Sequence, residues 1–273
     1  MIYSQEQTTH IYELQFAHLL VEEKGHVLTL TLNRPAQKNA LSPTLVRELA
    51  FAMSYAHHHT HIRVVVLAAE GDTFCAGADM KAFLGGEVAS ASTIPPEPKD
   101  VVIGDLFHQI HRPVIVRVQG DVWAGGFLLI CGGAYVVASE GARFGLPEVK
   151  RGLWPMQVTA SLLQIMPRRK ALDFCLRART IFADEALELG LVTHVVPPDA
   201  LDALVGGLAT ELSGYSPTAI RMGLEAVDQL RFVSQENQHA FLRDKLRLNL
   251  VTRDAQEGMR AFAEKRPPVW TGE

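Results

Sequence analysis

Apolar and polar side chains alternate through residues 26–32 (His-Val-Leu-Thr-Leu-Thr-Leu), the two-residue period of a strand with one buried face. Asn33-Arg34-Pro35 ends the run, since proline brings no amide to a strand ladder. From Ser42-Pro43 to about His59 the period lengthens: Leu45, Leu49, Ala52, Met53 and Ala56 recur at helical spacing behind a serine cap and a first-turn proline, which predicts a helix. Residues 63–69 and 113–118 are continuous β-branched runs, and residues 134–138 form a weaker one, as expected of strands covered on both faces. Strands separated by helices of this length imply right-handed crossovers and a mostly parallel sheet. Residues 85–98 are rich in small residues and proline and read as a mobile surface loop that could act as a lid. Beyond about residue 197 the pattern is helical, with breaks at residues 214–217 and near 252–254. No linker sets that stretch apart. The expected division is therefore a core over residues 1–197 and a C-terminal helical segment over 198–273 that does not fold alone.

With 273 residues, 48% hydrophobic and 21% charged, the chain fits one α/β domain with an added helical segment, and disorder is excluded. A formal charge of −4 offers no basic footprint, so nucleic acid is not an expected partner. The longest apolar runs fall far short of a membrane span, and the N-terminus lacks a charged segment followed by an apolar one. The chain thus reads as soluble, with no membrane partner and no export. Cys75, Cys131 and Cys175 lie far apart without Cys-x-x-Cys spacing, which argues against a disulfide framework and a zinc site and fits a reducing cytoplasm.

Candidate chemistry lies in two segments that place small residues beyond a buried strand: residues 74–80 (Phe-Cys-Ala-Gly-Ala-Asp-Met) and 120–126 (Gly-Asp-Val-Trp-Ala-Gly-Gly). In α/β sheets ligands bind beyond the carboxyl ends of strands, and small residues there let a carbonyl approach main-chain N–H groups. Two such donors meeting at one point make an oxyanion hole. Taken singly, either loop is also explained by a tight turn. His57, His58, His59 and His61 resemble a metal tract, but they close a helix and have no carboxylate partners nearby in sequence, so solvated histidines are the preferred reading and no metal site is assigned. Arg168-Arg169-Lys170 could attract phosphates, although a solvated helix start explains the run equally.

Seven features in order along nearly the whole chain resemble the enoyl-CoA hydratase/isomerase (crotonase) family: Asn33-Arg34-Pro35 with Asn39-Ala40-Leu41; residues 74–80; Pro113-Val114 leading to Gly120; Ala124-Gly125-Gly126; residues 143–148 (Arg-Phe-Gly-Leu-Pro-Glu); residues 183–196; and residues 262–266 (Phe-Ala-Glu-Lys-Arg). The resemblance implies an α/β fold with a repeated ββα core, parallel sheets and a C-terminal helical trimerisation segment. It implies that the main-chain N–H groups of Ala78 and Gly125 hold a thioester oxygen. It further implies that Ala76, Asp79, Met80 and Lys81 line the coenzyme A cleft, with the main chain at Ala76 and Met80 meeting the adenine. Phe262 and Lys265 would approach the coenzyme, often from a neighbouring subunit, in a homotrimer or a hexamer built of two trimers. Coenzyme A enters as the acyl-CoA substrate, and no permanently bound cofactor is expected.

One position departs from the family pattern. Hydratases of this family hold a water between two glutamates; the second corresponds to Glu148, whereas Leu128 occupies the first, and Gly133-Ala134 replace a usual Cys-Asp pair. Leucine neither orients water nor exchanges a proton. Glu148 alone could move a proton between two carbons of an enolisable acyl chain, as in a double-bond isomerisation. Against this stand a structural role for Glu148, pairing with Lys150 or Arg151, and a second carboxylate supplied by Asp121 or Glu140. The aspartate of the dienoyl-CoA isomerase pattern is absent, since its position is Met156. Three functions are therefore carried forward: an enoyl-CoA isomerase using Glu148, a hydratase with a relocated second acid/base, and an acyl-CoA binding protein without catalysis.

Overall fold

The computed structural model describes residues 1–86 and 90–273, so part of the predicted 85–98 loop, residues 87–89, lies outside the described residues. The strands are β1 (Leu19–Lys24), β2 (Val27–Leu32), β3 (Val64–Ala69), β4 (Thr73–Cys75), β5 (Val114–Val118), β6 (Asp121–Trp123), β7 (Tyr135–Ser139), β8 (Arg143–Gly145), β9 (Thr180–Phe182) and β10 (His194–Val196). The helices are α1 (Gln5–Thr8), α2 (Pro43–His58), α3 (Ile103–Ile110), α4 (Phe127–Ile130), α5 (Met156–Ile165), α6 (Arg168–Arg177), α7 (Ala183–Glu188), α8 (Leu201–Ser213), α9 (Pro217–Gln229), α10 (Gln238–Leu250) and α11 (Arg253–Glu264).

The alternating run is β2, with Leu28, Leu30 and Leu32 fully buried on one face. The helix predicted after Pro35 is α2; Ser42 caps it, its Oγ accepting from the Leu45 amide at 3.2 Å. The three buried runs are β3, β5 and β7, and they join a six-stranded sheet of order β1-β2-β3-β5-β7-β10. Every pairing in it is parallel except β1 with β2, so the mostly parallel sheet is observed. Burial on both faces has a direct cause. Val65 and Leu67 point into the main core under α2, while Val64 and Val66 meet Ile115, Val137 and the α8 residues Leu201, Val205 and Ala209. The first helix after residue 197 thus closes the outer face of the sheet, and α9, α10 and α11 pack on one another beyond it.

A second sheet, absent from the sequence reading, has the order β4-β6-β8-β9. Its strands are three residues long, too short for a period to register. Three of them follow a strand of the large sheet, β4 after β3, β6 after β5 and β8 after β7, so the chain runs as a repeated ββα unit. β1 also escaped the sequence reading, because Glu22, Glu23 and Lys24 interrupt its apolar pattern.

One polar knot ties the start of the chain to the small sheet. Asn39 is fully buried in the left-handed region at φ 51°. Its Oδ1 accepts from the Arg34 amide at 2.8 Å, and its Nδ2 donates to the carbonyls of Glu70 and Thr73, each at 2.8 Å. Arg34 reaches the Ala40 carbonyl and pairs with Asp79 at 3.0 Å. Replacing Asn39 by alanine leaves the buried Thr73 carbonyl and the part-buried Glu70 carbonyl and Arg34 amide without this partner, and an unpaired buried group costs roughly 1–3 kcal/mol. We expect Asn39→Ala to lower unfolding free energy by about 2–4 kcal/mol in urea titration.

Candidate active site

Loops leaving the small sheet carry Ala78, Gly125 and Glu148. β4 and β6 run parallel with Cys75 opposite Val122, and β6 and β8 run parallel with Trp123 opposite Gly145. Ala78, Gly125 and Glu148 each follow shortly after one of these strands, so all three emerge from the same end of adjacent strands spaced roughly 5 Å apart. The sequence reading hung both loops on the large sheet, at Ala69 and Val118; the inserted strands β4 and β6 carry them instead.

The two loops touch through main chain. Gly77 has φ +90°, a conformation that side-chain-bearing residues rarely adopt, and a Cβ there would lie 2.6 Å from the Ala124 Cβ and 3.0 Å from the Gly125 nitrogen. Ala124 is itself left-handed at φ 51°. A Cβ on Gly125 would stand 3.4 Å from the Ala78 nitrogen, so the two amides are neighbours.

Both amides are available. Ala78 bridges Leu41 in parallel, and the bridge uses the flanking groups: Leu41 donates to the Gly77 carbonyl at 2.8 Å and Asp79 donates to the Leu41 carbonyl at 3.0 Å. That pattern turns the Ala78 N–H the other way, and among the described residues it has no acceptor. Gly125 lies in the first turn of a short 3₁₀ segment (Ala124–Gly126), where an amide has no intrahelical partner.

The remaining positions of the first loop differ in what they offer. Ala76 spends its amide on the Lys38 carbonyl at 3.0 Å. Asp79 faces the protein, held by Arg34 and by the Ala82 amide at 3.1 Å. Burial alone would push its carboxyl up; the Ala82 amide and Arg34 outweigh that and hold it below the usual carboxylate range. Met80 is 55% exposed and Lys81 is exposed beside it. Phe262 and Lys265 sit at the end of α11, which packs on α9 and α10, and Phe262 is 88% exposed.

Glu148 opens a 3₁₀ turn (Glu148–Arg151) behind Pro147. Its Oε2 is buried with no hydrogen-bond partner among the described residues. Burial pushes its carboxyl above the usual glutamate range, against the opposing pull of a main-chain amide and Arg151. Leu128, in α4, is buried in the main core. The carboxylates weighed as substitutes stand elsewhere: Asp121 is clamped by the Arg143 guanidinium at 3.0 and 2.6 Å, and Glu140 lies exposed in a turn. Met156 is 73% exposed at the start of α5. His57 is packed rather than solvated, its imidazole pushed down to about 4 by burial, and the Arg168-Arg169-Lys170 run is exposed at the start of α6.

Two neighbouring amides after β4 and β6, and a desolvated glutamate after the adjacent strand β8, are groups that could serve developing negative charge on a carbonyl oxygen. The sequence profile of the "Enoyl-CoA hydratase/isomerase" family matches residues 22–273. The chain belongs to that family. Enoyl-CoA hydratase EchA19 of Mycobacterium tuberculosis is 35% identical over 254 residues, covering 91% of this chain and 94% of the relative. Mevalonyl-coenzyme A hydratase sidH of Aspergillus fumigatus is 31% identical, covering 90% of this chain and 91% of its own length. A crystal structure of an enoyl-CoA hydratase from M. tuberculosis superposes with a TM-score of 0.83 at 32% identity, over 94% of this chain and 100% of that one. The crotonase fold expected from the sequence is therefore present, and the protein is an enzyme family member acting on acyl-CoA.

The closeness of the two loops gives a direct check. In Gly77→Ala the new methyl has no room against Ala124 and the backbone is strained, so the loops must part. We expect turnover of acyl-CoA substrates to fall on the order of a hundredfold, the cost of one lost oxyanion donor, with a folded protein by circular dichroism.

Proposed function

We propose that this enzyme stabilises a thioester enolate between the Ala78 and Gly125 amides and uses Glu148 as its single acid/base, the chemistry of an enoyl-CoA isomerase. The observation that carries this reading is the lone, desolvated Glu148 carboxyl, with leucine at position 128 where a second carboxylate would stand. The thioester oxygen accepts from both amides, which acidifies the carbon next to the carbonyl. For a 3-enoyl thioester, the Glu148 carboxylate takes a proton from C2, the electrons spread into a dienolate held by the two amides, and the protonated glutamate returns the proton to C4. The product is the 2-enoyl thioester. A raised pKa suits both halves, since a stronger base takes the proton and the acid it becomes is close to the pH of use. Coenzyme A would lie along Ala76, Met80 and Lys81, with Asp79 holding that loop from behind, and Phe262 and Lys265 would be supplied by a neighbouring subunit.

A second reading is hydration with an acid/base from elsewhere in the pocket. The names of the relatives, which are hydratases, favour it. Glu148→Gln should abolish isomerisation of 3-enoyl thioesters while leaving their binding within a few-fold, because the oxyanion donors are main chain; stopped-flow turnover and calorimetry read the two separately. Leu128→Glu should raise hydration of 2-enoyl thioesters. Rapid hydration by the unaltered protein would instead make hydratase the right reading.

The Glu148 shift also predicts two pH dependences of opposite sense. Activity requires the carboxylate, so kcat/KM should rise with pH through an ionisation above the ordinary glutamate range. Stability runs the other way: the native state holds this proton more tightly than the unfolded chain, so the carboxyl subtracts stability as pH climbs from the ordinary glutamate value through the native one. Glu148→Gln should remove that component from the pH dependence of urea unfolding.

Assembly follows from the tail. Phe232 is 82% exposed, Val251 71% and Phe262 88%, an apolar surface that a trimer, or a hexamer of two trimers, would cover. Light scattering at micromolar concentration should give three or six times the chain mass; a monomer would contradict the proposal.

A further inference from the structure

A cleft of about 200 Å³ lies at the amino ends of β5 and β7, between the end of α3 and α9. Residues 120–126 leave the carboxyl end of β5, so the cleft is separate from the two loops that carry Ala78 and Gly125. Its polar wall centres on Arg112, which is 6% exposed. Main-chain carbonyls alone hold the guanidinium: Nε donates to Ile62 at 2.8 Å, Nη1 to His111 at 3.2 Å and Nη2 to His57 at 3.4 Å. Arginine has five N–H donors, so each terminal nitrogen keeps one to spare. Burial pushes this arginine down to about 10 and Arg221 acts in the same sense; among the described residues no carboxylate pulls the other way. The His111 ring lines the same wall, half-buried and, among the described residues, without a hydrogen bond.

Two acids of α9 act on this corner, and both are engaged. Asp228, in the cleft itself, pairs with His108 at 3.3 Å and with Arg231. Glu225, whose charge is felt by His111, accepts from Gln229 at 3.0 Å and faces Lys245 at 3.8 Å. Arg112 is therefore a buried cation that the protein leaves without a counter-ion, and such a charge is costly unless something neutralises it. The rest of the lining is largely apolar, supplied by Phe107, Val114, Leu224 and Val227. The Phe107 ring is packed against the main chain at Gly132, where a Cβ would stand 2.1 Å from it, so that wall is firm.

We propose that this cleft binds a short-chain carboxylate, with Arg112 and His111 taking the carboxyl group and the apolar lining taking the hydrocarbon tail. A carboxylate presents two oxygens to the planar donor fork of arginine and brings the single negative charge that Arg112 lacks. Inorganic phosphate would leave the apolar lining unused and would set a second negative charge beside Asp228. A neutral alcohol of the same length would leave the arginine unpaired. The site stands apart from Glu148 and the two amides, and does not rest on the acyl-CoA reading.

Calorimetry on the full chain with sodium hexanoate, hexanol and sodium phosphate tests this. Hexanoate should bind at one site per chain with a Kd on the order of 1 mM. Hexanol and phosphate should each bind about tenfold more weakly or worse, the worth of one charge-assisted hydrogen bond. Ala134 is an exposed residue of the cleft whose amide donates to the Val114 carbonyl at 2.9 Å, so a new side chain there has room. Ala134→Asp supplies a resident carboxylate and should weaken hexanoate about tenfold, whereas Ala134→Asn, equal in size and uncharged, should change it by less than about twofold. Arg112→Gln should abolish binding; the Ala134 pair decides the matter if that variant does not fold. Saturating butyryl-CoA should leave hexanoate binding unaltered. The proposal is overturned if hexanoate does not bind, if hexanol or phosphate binds as tightly, if the two Ala134 variants behave alike, or if butyryl-CoA displaces hexanoate.

Discussion

Two stretches of main chain, at Gly77 and at Ala124–Gly125, approach so closely that position 77 has no room for a side chain. The rest of the site is arranged around this approach. It asks for a glycine at 77, for an alanine held in the left-handed region at 124, and for parallel strands that deliver both loops to one side. A left-handed alanine costs roughly 1–2 kcal/mol, and its neighbours must hold it there. The knot of Asn39, Arg34 and Asp79 supplies part of that hold by fixing the first loop to the β2–α2 connection. A donor pair built from backbone has the advantage that its direction is set by the fold and cannot swing away as a side chain can.

The middle of the large sheet was legible because its strands are long and apolar enough to show a period: β2 by alternation, β3 and β5 by their β-branched runs. The small sheet was not, since three residues carry no period and Asp121 and Gly145 disfavour a strand. The close approach of the two loops was nonetheless legible, because glycine and alanine beyond a buried strand mark such an approach regardless of which sheet delivers them. Ala124 gave no sign of its left-handed conformation. Nothing distinguishes an alanine that pays this strain from one that does not, until the neighbouring glycine is seen to make room for it. The N-terminal segment was equally silent: Tyr3 and Ile11 are isolated apolar residues in a polar stretch, and only the fold shows that they reach the core.

Opposed effects act on the Glu148 carboxyl: burial raises its pKa, while a main-chain amide and Arg151 lower it. Burial dominates, and the carboxyl rises. The unsatisfied Oε2 is the structural face of the same imbalance, an acceptor kept from water without a protein donor. Such a group is costly to the fold and useful to a proton-transfer step, a pairing common at sites of chemistry.

The order in which the chain builds this site has a kinetic consequence. β4, β6 and β8 lie tens of residues apart in sequence, and each reaches its neighbour only after a full crossover through a helix. By contrast β1 and β2 form a local hairpin. Loop-closure entropy therefore delays the small sheet relative to the hairpin and the helices, and the proposed oxyanion pair comes into being only when the slow, non-local pairings are complete. In refolding, regain of secondary structure should run ahead of regain of turnover, so that catalysis serves as a clock for the last step of assembly rather than for collapse.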